Sequence, residues 1–268
     1  MFKNLKIYTL IGIVGLSFLT SCSEYDAVLK SNDVNAKYKM AIDYYEAEKF
    51  DRAIKLFEQV VPNYRGTPQA ERITYYLAEA YYGIGDYLIA AFYYERFTKS
   101  YPESSKIEEV AYKQAYCYYL DSPRYSLDQE NTMKAISELQ KYINRYSESE
   151  NAIEANKLIR ELSLKLEEKD FEIAKQYMKL EQYKAADISF GNFISDYPGS
   201  KYREDAFYLK FVSLYEYAKN SFKVKQKERY TQAKTAFLLY EKKYPEAENL
   251  EKARKYYDKV VEELENLS

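Results

Sequence analysis

The stretch AEAYYGIGDYLIAAFYYERF (78–97) carries the pattern that decides the fold. It places Ala78 twelve residues before Ala90, and the aromatic Tyr94 follows four residues later. The same small–small–aromatic spacing recurs at positions 41, 53 and 57 and at positions 174, 186 and 190. Small residues let two antiparallel helices approach closely, while aromatic residues fill the space beside them. The pattern therefore predicts a helix pair that is repeated along the chain.

A second motif, Ala-x-x-Tyr-Tyr, marks the first helix of the first three pairs. It reads AIDYY (41–45), AEAYY (78–82) and AYCYY (115–119), so consecutive copies begin 37 residues apart. Five pairs cover about 33–248, and a polar helix from Leu250 onward closes the array. Such pairs of small and large positions resemble the tetratricopeptide repeat. We therefore expect an all-α fold, a tetratricopeptide-repeat superhelix of about five helix pairs with a C-terminal capping helix.

Two of the pairs are stretched between their helices. The third holds LDSPRYSLDQEN (120–131), and the fifth holds SFKVKQKERY (221–230). We interpret the latter as a basic, solvated loop; the alternative is that its Lys223, Lys225, Lys227 and Arg229 face an anionic partner or lipid head groups. Between these inserts the segment 150–180 contains neither glycine nor proline, which predicts one long, continuous helix. We therefore divide the array into N-terminal repeats 1–3 (33–149) and C-terminal repeats 4–5 with the capping helix (150–268).

The pattern of the N-terminal residues indicates a targeting segment. Lys3 and Lys6 precede the apolar run 7–19, which is too short to span a bilayer. LTSC (19–22) resembles the lipobox of bacterial lipoproteins, which implies cleavage before Cys22 and a diacylglycerol on its thiol. We expect a signal peptide at 1–21 and a lipidated tether at 22–32. An ordinary signal peptide that ends near a cysteine is the alternative.

The residues after Cys22 bear on the destination of the protein. Serine rather than aspartate at position 23 resembles the sorting rule for transfer to the outer membrane. We therefore expect a lipid-anchored protein on the periplasmic face of the outer membrane. The stretch SEYD (23–26) also resembles a surface-export tag of some lipoproteins, which leaves the membrane face open.

Composition excludes several classes of function. The net charge is −2 and residues of both signs are mixed along the chain, so the sequence shows no basic patch of the kind that binds nucleic acid. Histidine is absent, which removes His-based catalysis and imidazole metal ligands, and no metal-ligand spacing appears. We expect no enzyme activity, no cofactor and no metal. Gly83-Ile84-Gly85 is interpreted as a turn, Cys117 as a buried apolar residue and Glu167-Glu168 as a solvated helix face.

Two rows of tyrosines are the candidate binding residues. One row lies three residues before each motif alanine and the other lies four residues after it: Tyr38, Tyr75 and Tyr112, and Tyr45, Tyr82 and Tyr119. Tyrosine is an amphipathic contact residue with few rotatable bonds, so these rows could line a binding groove. They could equally fill the core. A third row, Tyr44, Tyr81 and Tyr118, is expected to pack between the helices of each pair.

The ends of the repeats carry a narrower resemblance. They read SYPESS (100–105), DYPGSK (196–201) and KYPEAE (243–248), with the degenerate forms NYRGTP (63–68) and RYSESE (145–150). Five repeats with these endings behind a lipobox resemble the BamD family, lipoprotein components of the outer-membrane β-barrel assembly machinery. The likeness is best over 63–97 and extends over about 25–268. It implies an outer-membrane protein assembly factor that contacts the membrane through its lipid.

The resemblance also implies partners. They are a BamA-like barrel assembly protein and the C-terminal segments of unfolded outer-membrane proteins, which a groove in the scaffold would receive. The fifth repeat, with its basic stretch and with Tyr215, Tyr217 and Phe222, is expected to dock the barrel component. The tyrosine richness and the second-half inserts depart from the family pattern, so interface residues are not carried over singly.

Two other functions remain open at this point. The repeat endings are shared with the TolA-binding family, which would make the chain a periplasmic cell-envelope coordination protein. SusD-like glycan-binding lipoproteins also contain such repeats, but they are about twice as long and use tryptophan platforms. The absence of tryptophan here disfavours that class.

Overall fold

A computed structural model describes residues 24–268, and every regular element in that range is helical. The predicted signal peptide and Cys22 lie outside the described residues. Helices within 24–268 are too short or too polar to span a bilayer.

The described chain begins with helical residues 24–30, here α1. The remaining helices are α2 (Val34–Glu46), α3 (Phe50–Val60), α4 (Pro68–Gly83), α5 (Tyr87–Ser100), α6 (Ile107–Leu120), α7 (Glu130–Arg145), α8 (Glu150–Lys179), α9 (Tyr183–Asp196), α10 (Arg203–Lys219), α11 (Lys223–Lys243) and α12 (Leu250–Asn266), with a 3-10 turn at Val61–Tyr64. Consecutive helices pack against each other as pairs, which confirms the predicted all-α tetratricopeptide-type fold.

The small positions of the motif form the closest helix contacts. Ala41 and Ala53 are fully buried in the first pair, Ala78 and Ala90 in the second, and Ala135 in the third. The aromatic positions that follow them, such as Tyr94, are fully buried as well. The spacing of small and large residues in the sequence therefore identifies the helix contacts correctly.

The turn inside three of the pairs needs a left-handed backbone residue at an equivalent position. Gly85 has φ +80°, and Glu48 and Glu181 have φ values of 56° and 57°. The N–H of Gly85 bonds to the carbonyl of Tyr82, and the next N–H bonds to that of Tyr81. This pattern closes a helix C-terminus. Gly85 therefore provides the left-handed residue of this turn, which confirms the interpretation of Gly83-Ile84-Gly85 as a turn.

The chain divides into two compact units. Unit 2 comprises Arg124–Asp128 and Arg160–Ser268, and the preceding repeats together with Gln129–Ile159 form unit 1. Helix α8 runs unbroken over Glu150–Lys179, which confirms the predicted continuous helix. Its first turns, up to Ile159, belong to unit 1. The division of the repeats at position 149 stays a prediction.

The interpretation of 221–230 as a loop is wrong. Helix α11 begins at Lys223, so only a short connector separates it from α10. Lysine, glutamine, glutamate and arginine are good helix formers, and neither glycine nor proline interrupts the segment before Pro245. The charge pattern of this segment indicated solvent exposure, which a helix surface satisfies as well as a loop.

Serines in the repeat endings form hydrogen bonds to the first helix of the same repeat. The hydroxyls of Ser104 and Ser200 donate to Glu71 and Glu167 at 2.6 Å. The Ser200 hydroxyl also accepts from the N–H of Tyr202 at 2.9 Å, which fixes the start of the next helix. Glu167 is only 8% exposed, so its interpretation as a solvated residue is wrong: the carboxylate is a buried acceptor.

Replacing Ser200 by alanine should destabilise unit 2. The change leaves the buried Glu167 carboxylate without the hydroxyl donor, and such a loss costs about 1–3 kcal/mol. The measurement is urea unfolding of the variant against the unmodified protein. Ser195→Ala, at an exposed position of α9, is the control and should stay within about 0.5 kcal/mol. Equal midpoints for the two variants would show that the bond contributes nothing.

Candidate functional site

The predicted tyrosine rows lie on the first helices of the three pairs in unit 1. Tyr38 and Tyr45 belong to α2, Tyr75 and Tyr82 to α4, and Tyr112 and Tyr119 to α6. All six side chains are half-buried. They are therefore neither fully packed core residues nor free surface residues.

Aromatic stacking joins α2 to α4. The ring of Tyr45 stacks on Tyr76 with centroids 4.3 Å apart and planes 24° apart, and it also contacts Phe50 at 5.8 Å. Burial, and next the neighbouring Glu79 carboxylate, raise the pKa of Tyr45 to about 12. The phenol is therefore neutral at physiological pH and retains its hydrogen-bond donor.

A polar network joins α4 to α6. The Lys113 ammonium donates to Glu79 at 2.7 Å and pairs with Glu109 at 3.0 Å. The hydroxyls of Tyr75 and Tyr94 donate to Glu109 at 2.9 Å and to Glu79 at 2.6 Å. Burial alone would raise the pKa of Glu109, but the hydrogen bonds from Lys113 and Tyr75 outweigh it and lower that pKa. The Glu109 carboxylate is thus held as an anion beside Lys113.

A ladder of three rings runs along α6. Tyr116 stacks on Tyr112 at 5.8 Å and on Tyr119 at 5.5 Å, with nearly parallel planes. Burial raises the pKa of Tyr112 to about 12, and burial followed by the influence of Tyr116 raises the pKa of Tyr82. The three rings, four and three residues apart, therefore lie along one face of α6.

Together these side chains form one series across three helices, which we call the tyrosine face. It consists of Tyr45, Tyr75, Tyr76, Tyr82, Tyr112, Tyr116 and Tyr119 with the charged residues Glu79, Glu109 and Lys113. Tyr38 stands beside this series, and its ring packs on Tyr64 of the 3-10 turn at 5.1 Å. The tyrosine face therefore combines half-buried rings, neutral phenol donors and a paired set of charges.

The third tyrosine row occupies a different location. Tyr81 stacks on Tyr93 of α5 at 5.4 Å, and its hydroxyl donates to Glu58 of α3 at 2.6 Å. Tyr44 receives a hydrogen bond from Arg52 of α3, and the Lys134 ammonium of α7 lies over the ring of Tyr118. These tyrosines pack between first and second helices, as the sequence predicted.

The sequence did not single out five members of the tyrosine face. The residues outside the predicted tyrosine rows are Tyr76, Tyr116, Glu79, Glu109 and Lys113. The pairs Tyr75–Glu109 and Glu79–Lys113 are each separated by 34 residues, which is the general length of a tetratricopeptide unit although the motif copies of this chain are 37 residues apart. This spacing is the signal in the sequence that could have indicated the two contacts. In a chain with 31% charged residues this spacing is not distinctive.

Unit 2 contains a separate cavity of about 780 Å³ between α8, α10 and the connector 124–128. Its apolar wall includes Ile173, Met178, Leu180 and Leu209. The ammonium of Lys169 donates to the carbonyl of Leu127 at 2.6 Å and thereby holds the connector over α8. The cavity is open, and its walls are mainly apolar with charged residues around them.

The aromatic residues expected to dock a partner in the fifth repeat are differently placed. Tyr215 is buried and packs against Tyr230 and Tyr256, so its assignment to a docking surface is wrong. The guanidinium of Arg229 covers Tyr217 at 3.9 Å from the ring centroid. Tyr215 is buried because it lies where α10 packs against both α11 and α12. Phe222 alone among the three expected residues is strongly exposed.

The described residues contain no group of three or more His, Cys, Asp or Glu side chains arranged to hold a metal ion. Cys117 is a buried free cysteine, and burial raises the pKa of its thiol to about 12. The thiol is therefore protonated and packs as an apolar residue, as predicted.

Comparisons with known proteins agree with this arrangement. The profile of the YfiO family, described as an outer membrane lipoprotein, matches residues 30–190. The outer membrane protein assembly factor BamD of Vibrio cholerae serotype O1 is 26% identical over 192 residues, which cover 68% of this chain and 80% of that protein.

Solved structures with a similar helical arrangement are more distant. The TPR2AB-domain–pHSP90 complex of yeast Sti1 has a TM-score of 0.39 at 15% identity, covering 85% of this chain and 98% of that one. TPR-like repeats of a Podosopora anserina kinesin light chain have a TM-score of 0.33 at 14% identity, covering 76% and 93%.

Proposed function

The chain belongs to the YfiO family of outer membrane lipoproteins, and from that membership we propose that it acts as an outer-membrane protein assembly factor. The family places the chain at the outer membrane. In this proposal the protein is a lipid-anchored scaffold without catalytic activity. It binds the β-barrel assembly machinery through one part and an unfolded β-barrel protein through another.

The observation that carries the proposal is the tyrosine face of unit 1. Its half-buried rings are held by a stack that joins α2 to α4, by hydrogen bonds that join α4 to α6 and by a ladder of rings along α6, so their positions are fixed before a ligand arrives. Fixed aromatic side chains lose little conformational entropy on binding, which makes them effective contact residues. A surface of this kind suits a segment that offers apolar side chains in succession.

The C-terminal segment of an unfolded outer-membrane β-barrel protein has that chemistry. Its last strand alternates apolar and polar residues, and an aromatic residue ends it. As an unpaired strand it also carries free backbone N–H and C=O groups. The phenols of the tyrosine face donate hydrogen bonds, Glu79 and Glu109 accept them, and the rings pack on the apolar side chains. We infer that this segment is the substrate.

A second surface, in unit 2, would bind a BamA-like barrel assembly protein. The cavity between α8, α10 and connector 124–128 exposes the apolar residues Ile173 and Leu180 at its edge. Exposed apolar residues around an open cavity favour a protein contact. The substrate and machinery surfaces then belong to different units of the chain.

Co-purification from solubilised outer membranes tests the machinery contact. The double variant Ile173→Glu and Leu180→Glu places two carboxylates at the rim of the cavity. Because unpaired charges in a contact cost several kcal/mol, the amount of barrel assembly protein retained should fall by at least about tenfold. The readout is mass spectrometry of the retained proteins.

The matched control for that experiment is Ile188→Glu, an equally apolar and exposed position on α9. It should leave the retained amount unchanged. Equal retention by the double variant and the unmodified protein, with both folded, would remove the cavity from the interface. Failure of the unmodified protein to retain any barrel assembly component would contradict the proposed function itself.

A further inference from the structure

The end of the α10–α11 connector and the first turn of α11 present the two most exposed large apolar side chains of the described chain. Phe222 is 86% exposed and Val224 is 85% exposed. Lys223 and Lys225 alternate with them, and Lys227 follows. Apolar and cationic side chains are therefore interleaved at one projecting tip, which we call the α10–α11 tip (219–229).

The fold holds this tip in a fixed conformation. The guanidinium of Arg229 donates to the hydroxyl of Ser221 and covers the ring of Tyr217 at 3.9 Å. The amide of Gln226 donates to the carbonyl of Lys219 at 3.3 Å, across the connector. These contacts hold the backbone on both sides of Phe222 and Val224.

The charge of the tip is strongly positive. Five basic residues and one acidic residue lie between 219 and 229, while the whole chain has a net charge of −2. The first turn of α11 contains no acidic residue, and no side chain caps its N-terminus. Cations at a helix N-terminus oppose the helix dipole. Anions placed against the tip would relieve both the dipole and the lysine repulsion.

We propose that the α10–α11 tip is a membrane contact that inserts Phe222 and Val224 among the acyl chains of an anionic lipid surface. The lysines between them reach the phosphate groups, since a long cationic side chain extends back to the interface while its stem stays in apolar surroundings. Each basic residue close to an anionic membrane adds to the attraction.

The same residues fit a protein partner less well. The centres of protein interfaces are depleted in lysine, because each buried ammonium loses its hydration. Here lysine flanks both apolar side chains directly, so burying Phe222 in a protein pocket would bring Lys223 with it. At a bilayer the same lysines remain hydrated at the level of the head groups. The chain also belongs to a lipoprotein family, so a membrane is within reach of the protein.

A nitroxide label tests the contact in the full lipid-anchored protein. Val224→Cys introduces a thiol for labelling, while Cys117 is buried and stays unlabelled. The protein is reconstituted in vesicles of phosphatidylcholine alone or with phosphatidylglycerol, and collisions with oxygen and with a water-soluble nickel complex are measured. With phosphatidylglycerol the label should become accessible to oxygen and protected from nickel. A label at Asn192→Cys, on exposed α9, should stay aqueous.

Charge variants separate lysine recognition from simple apolar insertion. Lys223→Gln, Lys225→Gln and Lys227→Gln together should lower the ratio of immersed to aqueous label by about fivefold per lysine. The control replaces three exposed lysines elsewhere, Lys39, Lys55 and Lys184, and should leave the ratio unchanged.

Three results would overturn the proposal. One is a label at position 224 that stays aqueous on anionic vesicles, and another is insertion of equal extent into neutral vesicles. The third is protection of the label only after the barrel assembly protein is added, which would assign the tip to that partner instead.

Discussion

Replacing Cys22 by alanine is expected to leave the chain as an uncut precursor that is absent from the purified outer membrane. The lipobox LTSC (19–22) provides no other thiol to carry the lipid, and the described helices cannot span a bilayer in place of the anchor. Stable anchoring requires more than one acyl chain, which the lipidated cysteine supplies. The measurement is the mass and the membrane fraction of the variant.

Cys117→Ala is the matched control, since it removes the other cysteine and leaves the lipobox intact. Because Cys117 is buried and uninvolved in a disulfide, this variant should be processed and anchored normally. A mature, membrane-bound Cys22→Ala protein would show that the chain is not a lipoprotein of this type.

Removing rings from the tyrosine face should weaken binding of a peptide that copies the last strand of a β-barrel. The variant Tyr45→Ala, Tyr82→Ala and Tyr119→Ala removes one ring from each first helix. A contact ring is worth about 1–2 kcal/mol, so the Kd should rise by about 100-fold or more. The measurement is a titration followed by calorimetry or fluorescence anisotropy.

Folding must be monitored in this experiment, because Tyr45 also stacks on Tyr76. The matched control is the triple replacement by phenylalanine, which keeps the rings and removes the hydroxyls. It should retain most of the affinity and a normal circular dichroism melting curve. A folded alanine variant with unchanged affinity would assign the rings to packing alone.

The helix pairs could be predicted because their close contacts depend on local spacing. The spacing of Ala78, Ala90 and Tyr94 is typical of two packed helices. The absence of glycine and proline predicts the continuous helix α8. The start of α11 was misassigned because a run of lysines indicates exposure but does not distinguish a solvated loop from a solvated helix. Propensity, which favours the helix, was the better guide.

The candidate site was predicted only in part. The two tyrosine rows follow from the repeat, since residues at equivalent positions of stacked helices lie side by side. The individual side-chain contacts depend on how far each helix is shifted along its neighbour. The sequence does not give this shift. The bonds of Lys113 to Glu79 and of Ser200 to Glu167 are of this kind.

The most direct test of the proposed function is the state of β-barrel proteins in cells depleted of this chain. Folded barrels migrate differently from unfolded ones unless the sample is heated, so the folded fraction can be read from a gel of outer-membrane extracts. We predict that this fraction falls as the chain disappears, while unfolded barrel proteins accumulate in the periplasm. An unchanged amount of folded barrels, with the chain below detection, would contradict the assignment as an assembly factor.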